Sequence, residues 1–89
     1  MYLSHPVRRM RDDPFADQTA TLVVELDAAE RSDLDATLDE VDGAFERELQ
    51  LGSYLVSMPE TRVDAFCEMD GLARVETANT LGLAIDDGE

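Results

Sequence analysis

Thr19–Leu26 reads TATLVVEL. The run is β-branched and apolar, with Leu22, Val24 and Leu26 falling on one face and Val23 and Glu25 on the other. It predicts a strand, and apolar residues on both faces place it centrally in its sheet. From Asp27 to Val41 the period changes. Leu34, Leu38 and Val41 recur at i, i+4 and i+7, while Asp33, Asp35, Asp39, Glu40 and Asp42 face away, which predicts an amphipathic helix with a carboxylate-covered outer face. Two starts fit, a capping-box-like Ser32 with Asp35 or an earlier Asp27. Asp42-Gly43 supplies the stop, with the glycine suited to the left-handed position after a helix.

Further along, AFERELQL (44–51) alternates, with Phe45, Leu49 and Leu51 on one side and Glu46, Glu48 and Gln50 on the other. Arg47 is the exception on the apolar side. A strand is expected, although helix is a rival reading of 44–50 because Glu and Leu favour it. Gly52-Ser53 marks a tight turn into a partner strand, Tyr54–Met58. Ser57-Met58-Pro59-Glu60 has the form of a helix start, with a serine cap, an early proline and a glutamate three residues on. That helix turns Val63, Phe66 and Cys67 inward and ends at Asp70-Gly71. Leu72–Thr77 alternates again, and so do Leu81, Leu83 and Ile85 beyond Asn79-Thr80.

The order β-α-β-β-α-β predicts an α+β ferredoxin-like plait: a four-stranded antiparallel sheet with two helices on one face. Residues 19–86 form its single domain. Residues 1–18, with two prolines and little periodicity, are expected as a flexible arm with a short extended piece at Tyr2-Leu3, and 87–89 as a loose end.

The 89 residues carry 21 acidic side chains, seven arginines and no lysine, for a net charge of −14. Such a balance resembles that of proteins from halophilic archaea, working where salt screens repulsion between carboxylates. It argues against nucleic acid as a partner, since phosphate binding needs a basic face. Arg8-Arg9 is followed by Met10-Arg11-Asp12-Asp13 and no apolar run, so it does not read as an export signal. No stretch reaches the roughly 20 apolar residues of a membrane span, and a cytoplasmic protein is expected. Cys67, the single cysteine, reads as a small buried hydrophobe.

Chemistry-bearing motifs are absent from the sequence. Asp33, Asp35 and Asp39 lack the glycine and terminal glutamate of a calcium loop, and no phosphate-binding glycine loop or zinc motif occurs. With His5 as the only histidine, a catalytic dyad has no base. No enzyme, metal or cofactor is expected. What remains is surface. Thr21, Val23, Glu25, Leu55, Arg74 and Glu76 are expected on the sheet face that two helices leave uncovered, a face suited to a protein partner.

Residues 52–76, GSYLVSMPETRVDAFCEMDGLARVE, resemble the second half of subtilisin propeptides and their stand-alone inhibitor relatives. There too a strand leads into a short helix, a small-residue turn and a strand with a Val-Glu step, here Val75-Glu76. The resemblance implies a protein-binding module, an inhibitor or folding assistant, that docks its sheet face on a subtilisin-type protease. It also implies a substrate-like C-terminal segment, Thr77–Ile85, which adds Thr77, Asn79 and Leu81 to the candidate contacts. The alternative is a self-associating, ACT-like regulatory domain that senses a small molecule between two copies of itself.

Overall fold

The computed structural model describes residues 2–50 and 52–78. Five strands, β1 (Tyr2–Leu3), β2 (Thr19–Leu26), β3 (Ala44–Gln50), β4 (Ser53–Pro59) and β5 (Leu72–Thr77), form one sheet in the order β1-β5-β2-β4-β3. β1 runs parallel to β5 and every other pairing is antiparallel. Helices α1 (His5–Asp12), α2 (Arg31–Glu40) and α3 (Val63–Phe66) complete it, α3 preceded by a 3-10 turn at Glu60–Arg62.

This overturns the expected plait of four antiparallel strands and two helices. The sheet is mixed and five-stranded, with three helices, because residues 2–12 are not a free arm. Pro6 sits in the first turn of α1, where a missing N–H costs nothing. Val7 and Met10, three apart on one side of that helix, are buried, while Arg8 points to solvent. The preceding Tyr2-Leu3 pairs with Arg74-Val75, and the Ser4 N–H donates to the Val75 carbonyl at 3.1 Å. Arg11 then clips α1 to α3 and the turn after it, its Nε 2.8 Å from Asp64 and its Nη2 2.9 Å from Glu68.

The core lies between the sheet and all three helices. Leu22 and Val24 of β2, Val56 and Met58 of β4 and Val75 of β5 meet Val7 of α1, Leu34 and Leu38 of α2, and Val63 and Phe66 of α3. Full burial of Phe66 alone contributes about 2–3 kcal/mol. Cys67 is buried beside it, as its pattern suggests. Asp33, Asp35, Asp39 and Glu40 of α2 face solvent.

Several local expectations are corrected. α2 is capped at Glu30, whose backbone carbonyl accepts from the N–H of Asp33 at 3.0 Å while the Glu30 N–H donates to Asp33 Oδ2 at 2.9 Å. The left-handed residue after α2 is Asp42 (φ 58°), not Gly43. Ser57 is no helix cap but lies in β4, which runs on through Pro59 in register with Thr19; its Oγ donates to Glu46 at 2.7 Å. Residues 44–50 are strand, and bulges interrupt the pairing of β3 with β4 between Phe45 and Arg47 and between Glu48 and Gln50. The first bulge reverses the alternation. Phe45 packs with the main core, whereas Leu49 joins Val23 and Leu55 on the opposite face. Leu51, Leu83 and Ile85 lie outside the described residues.

Candidate binding face

Alternation along β2 places Thr21, Val23 and Glu25 opposite the helices, and the ladder registers assemble the rest of that face. Val23 is paired with Leu55 on one side and Glu76 on the other; Glu25 is paired with Ser53 and Arg74. Arg47 of β3 stands opposite Leu55, and Tyr2 of β1 opposite Arg74. Thr21, Val23, Glu25, Leu55, Arg74 and Glu76 therefore share one surface. Thr77 does not: it is paired with Leu22 of the core side and lines a cleft of about 310 Å³ with Met10, Thr19 and Glu60. Asn79 and Leu81 lie outside the described residues.

The middle of this face is not bare. Val23, Leu55 and Ala78 are only 3%, 6% and 2% exposed and form a second small cluster with Leu49. Glu76, at 4%, is the buried carboxylate beside them. A buried anion costs several kcal/mol unless it is paired, and Arg74 Nη1 donates to Glu76 Oε2. That bond, the largest influence on the Arg74 guanidinium, raises its pKa above the ordinary arginine value. Arg74 also lies over the Tyr2 ring, 4.8 Å from its centroid. What stays accessible is the margin: Tyr2, Arg74 and Arg47 are exposed, and Thr21, Glu25, Ser53 and Ser57 are partly so.

Charge separates the two sides. Arg47 and Arg74 offset two of the three carboxylates Glu25, Glu46 (held by the Ser57 hydroxyl) and Glu76, so the sheet face is only weakly negative, whereas the α2 side carries Asp33, Asp35, Asp39 and Glu40. On that side a cleft of about 550 Å³ is floored by Ala29 and Ala36 and rimmed by Asp33, Glu68 and Asp70. Among the described residues no group of three His, Cys, Asp or Glu is placed to hold a metal ion, and no helix is long and apolar enough to cross a membrane.

Sequence reasoning missed Tyr2 and Arg47 as members of the face. For Tyr2 the signal was the short extended piece at the N-terminus, whose partners Arg74 and Val75 lie 72 positions further along the chain and cannot be read locally. For Arg47 it was the break in alternation, which the bulge explains.

The mixed sheet carries its helices on one side and, on the other, a margin edged by Tyr2, Arg47 and Arg74. A family model described as "Putative peptidase inhibitor domain" matches residues 2–78, and the chain belongs to that family. The match spans every described element, α1 included. No curated protein and no solved structure matches the chain significantly.

Proposed function

We propose that this protein inhibits a subtilisin-type peptidase, docking on it through the sheet face opposite the helices. The observation that carries the reading is the family match over residues 2–78. The face adds support: it is the side on which a protein of net charge −14 presents little net charge, so a partner approaches there with least repulsion. An inhibitor of this kind works by occupying its partner and asks for no chemistry of its own side chains.

The experiment is a titration. Subtilisin-type peptidases are assayed with a chromogenic peptide in dilute and in molar potassium chloride, with the chain added up to micromolar concentration. Saturable inhibition is expected, and truncation after Thr77 should abolish it. Full peptidase activity across several such enzymes in both salt regimes overturns the reading.

A further inference from the structure

We propose that Tyr2 and Arg74 form the anchor by which the sheet face holds its partner, seating an acidic side chain of the peptidase beside an apolar recess that takes the tyrosine ring. This rests on the inhibitor reading above and names the contact within it. Val23, Leu55 and Glu76 are already closed to solvent, so they have little further area to bury on binding. Tyr2 is 49% exposed and the Arg74 side chain 44%. Tyrosine and arginine are also the residue types that most often carry the energy of protein interfaces.

The pair is held in place before any partner arrives. Strand register puts Tyr2 beside Arg74. The ring lies 4.8 Å from the guanidinium carbon, and Glu76, fixed in the sheet, accepts from Nη1. Ordering a long side chain on association costs entropy, and here the ring and the carboxylate already hold the side chain in one place. A guanidinium has five N–H donors in a planar fork, of which the bond to Glu76 uses one. The donors that remain fit a carboxylate. Most other arginines are committed on the helix side: Arg9 to Glu60, Arg11 to Asp64 and Glu68, Arg31 to Asp35, and Arg62 to Asp42. Arg74 is thus the cation of the sheet face that combines an aromatic neighbour with a fixed orientation.

The test uses whichever subtilisin-type peptidase the parent chain inhibits. Tyr2→Ala and Arg74→Lys are compared with the parent, and Phe15→Ala serves as control, because Phe15 is the other exposed large apolar side chain among the described residues and lies against Arg9, away from this face. Arg74→Lys keeps the charge beside Glu76 and removes the planar fork. Both variants at the pair should weaken inhibition by about tenfold or more, with Phe15→Ala unchanged. A second reading needs no variant: the Arg74 Nε–H resonance of the parent should shift when inactivated peptidase is added. Unchanged inhibition by the variants, or an unmoved Arg74 resonance in a chain that does inhibit, overturns the anchor and leaves the inhibitor reading standing. A parent chain that inhibits none of the peptidases removes both.

Discussion

Glu60 and Arg9 join the N-terminal helix to the rest of the domain. The Glu60 carboxylate, 8% exposed at the head of the 3-10 turn, accepts from Arg9 Nη2 at 3.3 Å and from the Phe15 N–H at 3.0 Å. Its position follows from the backbone, since the Glu60 N–H donates to the Gln18 carbonyl at 2.9 Å. Replacing it by alanine leaves the partly buried Phe15 N–H without its acceptor and takes from the Arg9 guanidinium one of its two partners, the other being the Asp13 carbonyl at 3.0 Å. Glu60→Ala should therefore cost about 1.5–3 kcal/mol in urea unfolding. A loss below 0.5 kcal/mol, by roughly the yardstick of an exposed pair, shows the link to be incidental.

Ser4 occupies the cap position of α1, yet its side chain makes no cap bond, and its buried Oγ has no hydrogen-bond partner among the described residues. An N-cap serine ordinarily loses about 1 kcal/mol on mutation to alanine. Here the opposite sign is expected, because the change removes an unsatisfied buried hydroxyl. Ser4→Ala should melt at or above the parent temperature; a clear drop means that the hydroxyl is satisfied.

Gly71 and Gly52 both have positive φ, 87° and 82°, but their surroundings differ. A Cβ on Gly71 would stand 2.5 Å from the Ala29 backbone nitrogen, whereas one on Gly52 meets open space. The Gly71 carbonyl also accepts from Asp27 and Ala29, tying β5 to the start of α2. Gly52→Ala should cost only the backbone term, about 1 kcal/mol, and Gly71→Ala at least twice that. Equal losses in denaturant titration would contradict the close approach.

Burial pushes the Cys67 thiol up to about 11. An unfolded cysteine ionises near 8.5. Between those values the native state holds a proton that the unfolded state has released, so stability is fully present below pH about 8.5 and is lost as pH rises toward 11. The loss at the upper end is on the order of 3 kcal/mol. Cys67→Ala should flatten that alkaline slope, and the native thiol should react with Ellman's reagent far more slowly than in denaturant. Fast labelling of the folded chain would refute the burial.

A net charge of −14 sets a long-range repulsion against compactness. Raising ionic strength from about 0.1 M to about 1 M shortens the screening length from about 10 Å to about 3 Å. The urea midpoint should climb over that range, in potassium and sodium chloride alike. A midpoint that does not move with salt removes the case for a protein suited to brine.

The parts of the fold legible in the sequence are those that alternation or helical period encodes directly. Thr19–Leu26 states its two faces, and the strands at 53–59 and 72–77 do the same, so Thr21, Val23, Glu25, Leu55, Arg74 and Glu76 could be placed on the sheet side opposite the helices. Helix α1 was hidden because two apolar residues, Val7 and Met10, are all it buries; its stability comes from tertiary packing and not from local preference. The ends of α2 were misread for a related reason. Gly43 is needed for space, since a Cβ there would meet the Ser57 carbonyl at 2.9 Å, and the left-handed turn falls to Asp42 instead. At the other end, bonds from Asp27 and Ala29 to the Gly71 carbonyl hold the approach to the helix and leave Glu30 to cap it. The closed centre of the binding face was likewise invisible, because local alternation says which side a residue takes and nothing of how deeply it is covered.

The outer strands also bear on how the molecule behaves in a crowd. One margin of the sheet is the two-residue β1; the other, β3, is kinked twice and studded with Glu46, Arg47 and Glu48. A stray chain looking for a flat ribbon to extend finds neither length nor straightness there. Amyloid growth by edge-to-edge stacking is thereby discouraged, and concentrated stocks should stay clear and thioflavin-negative.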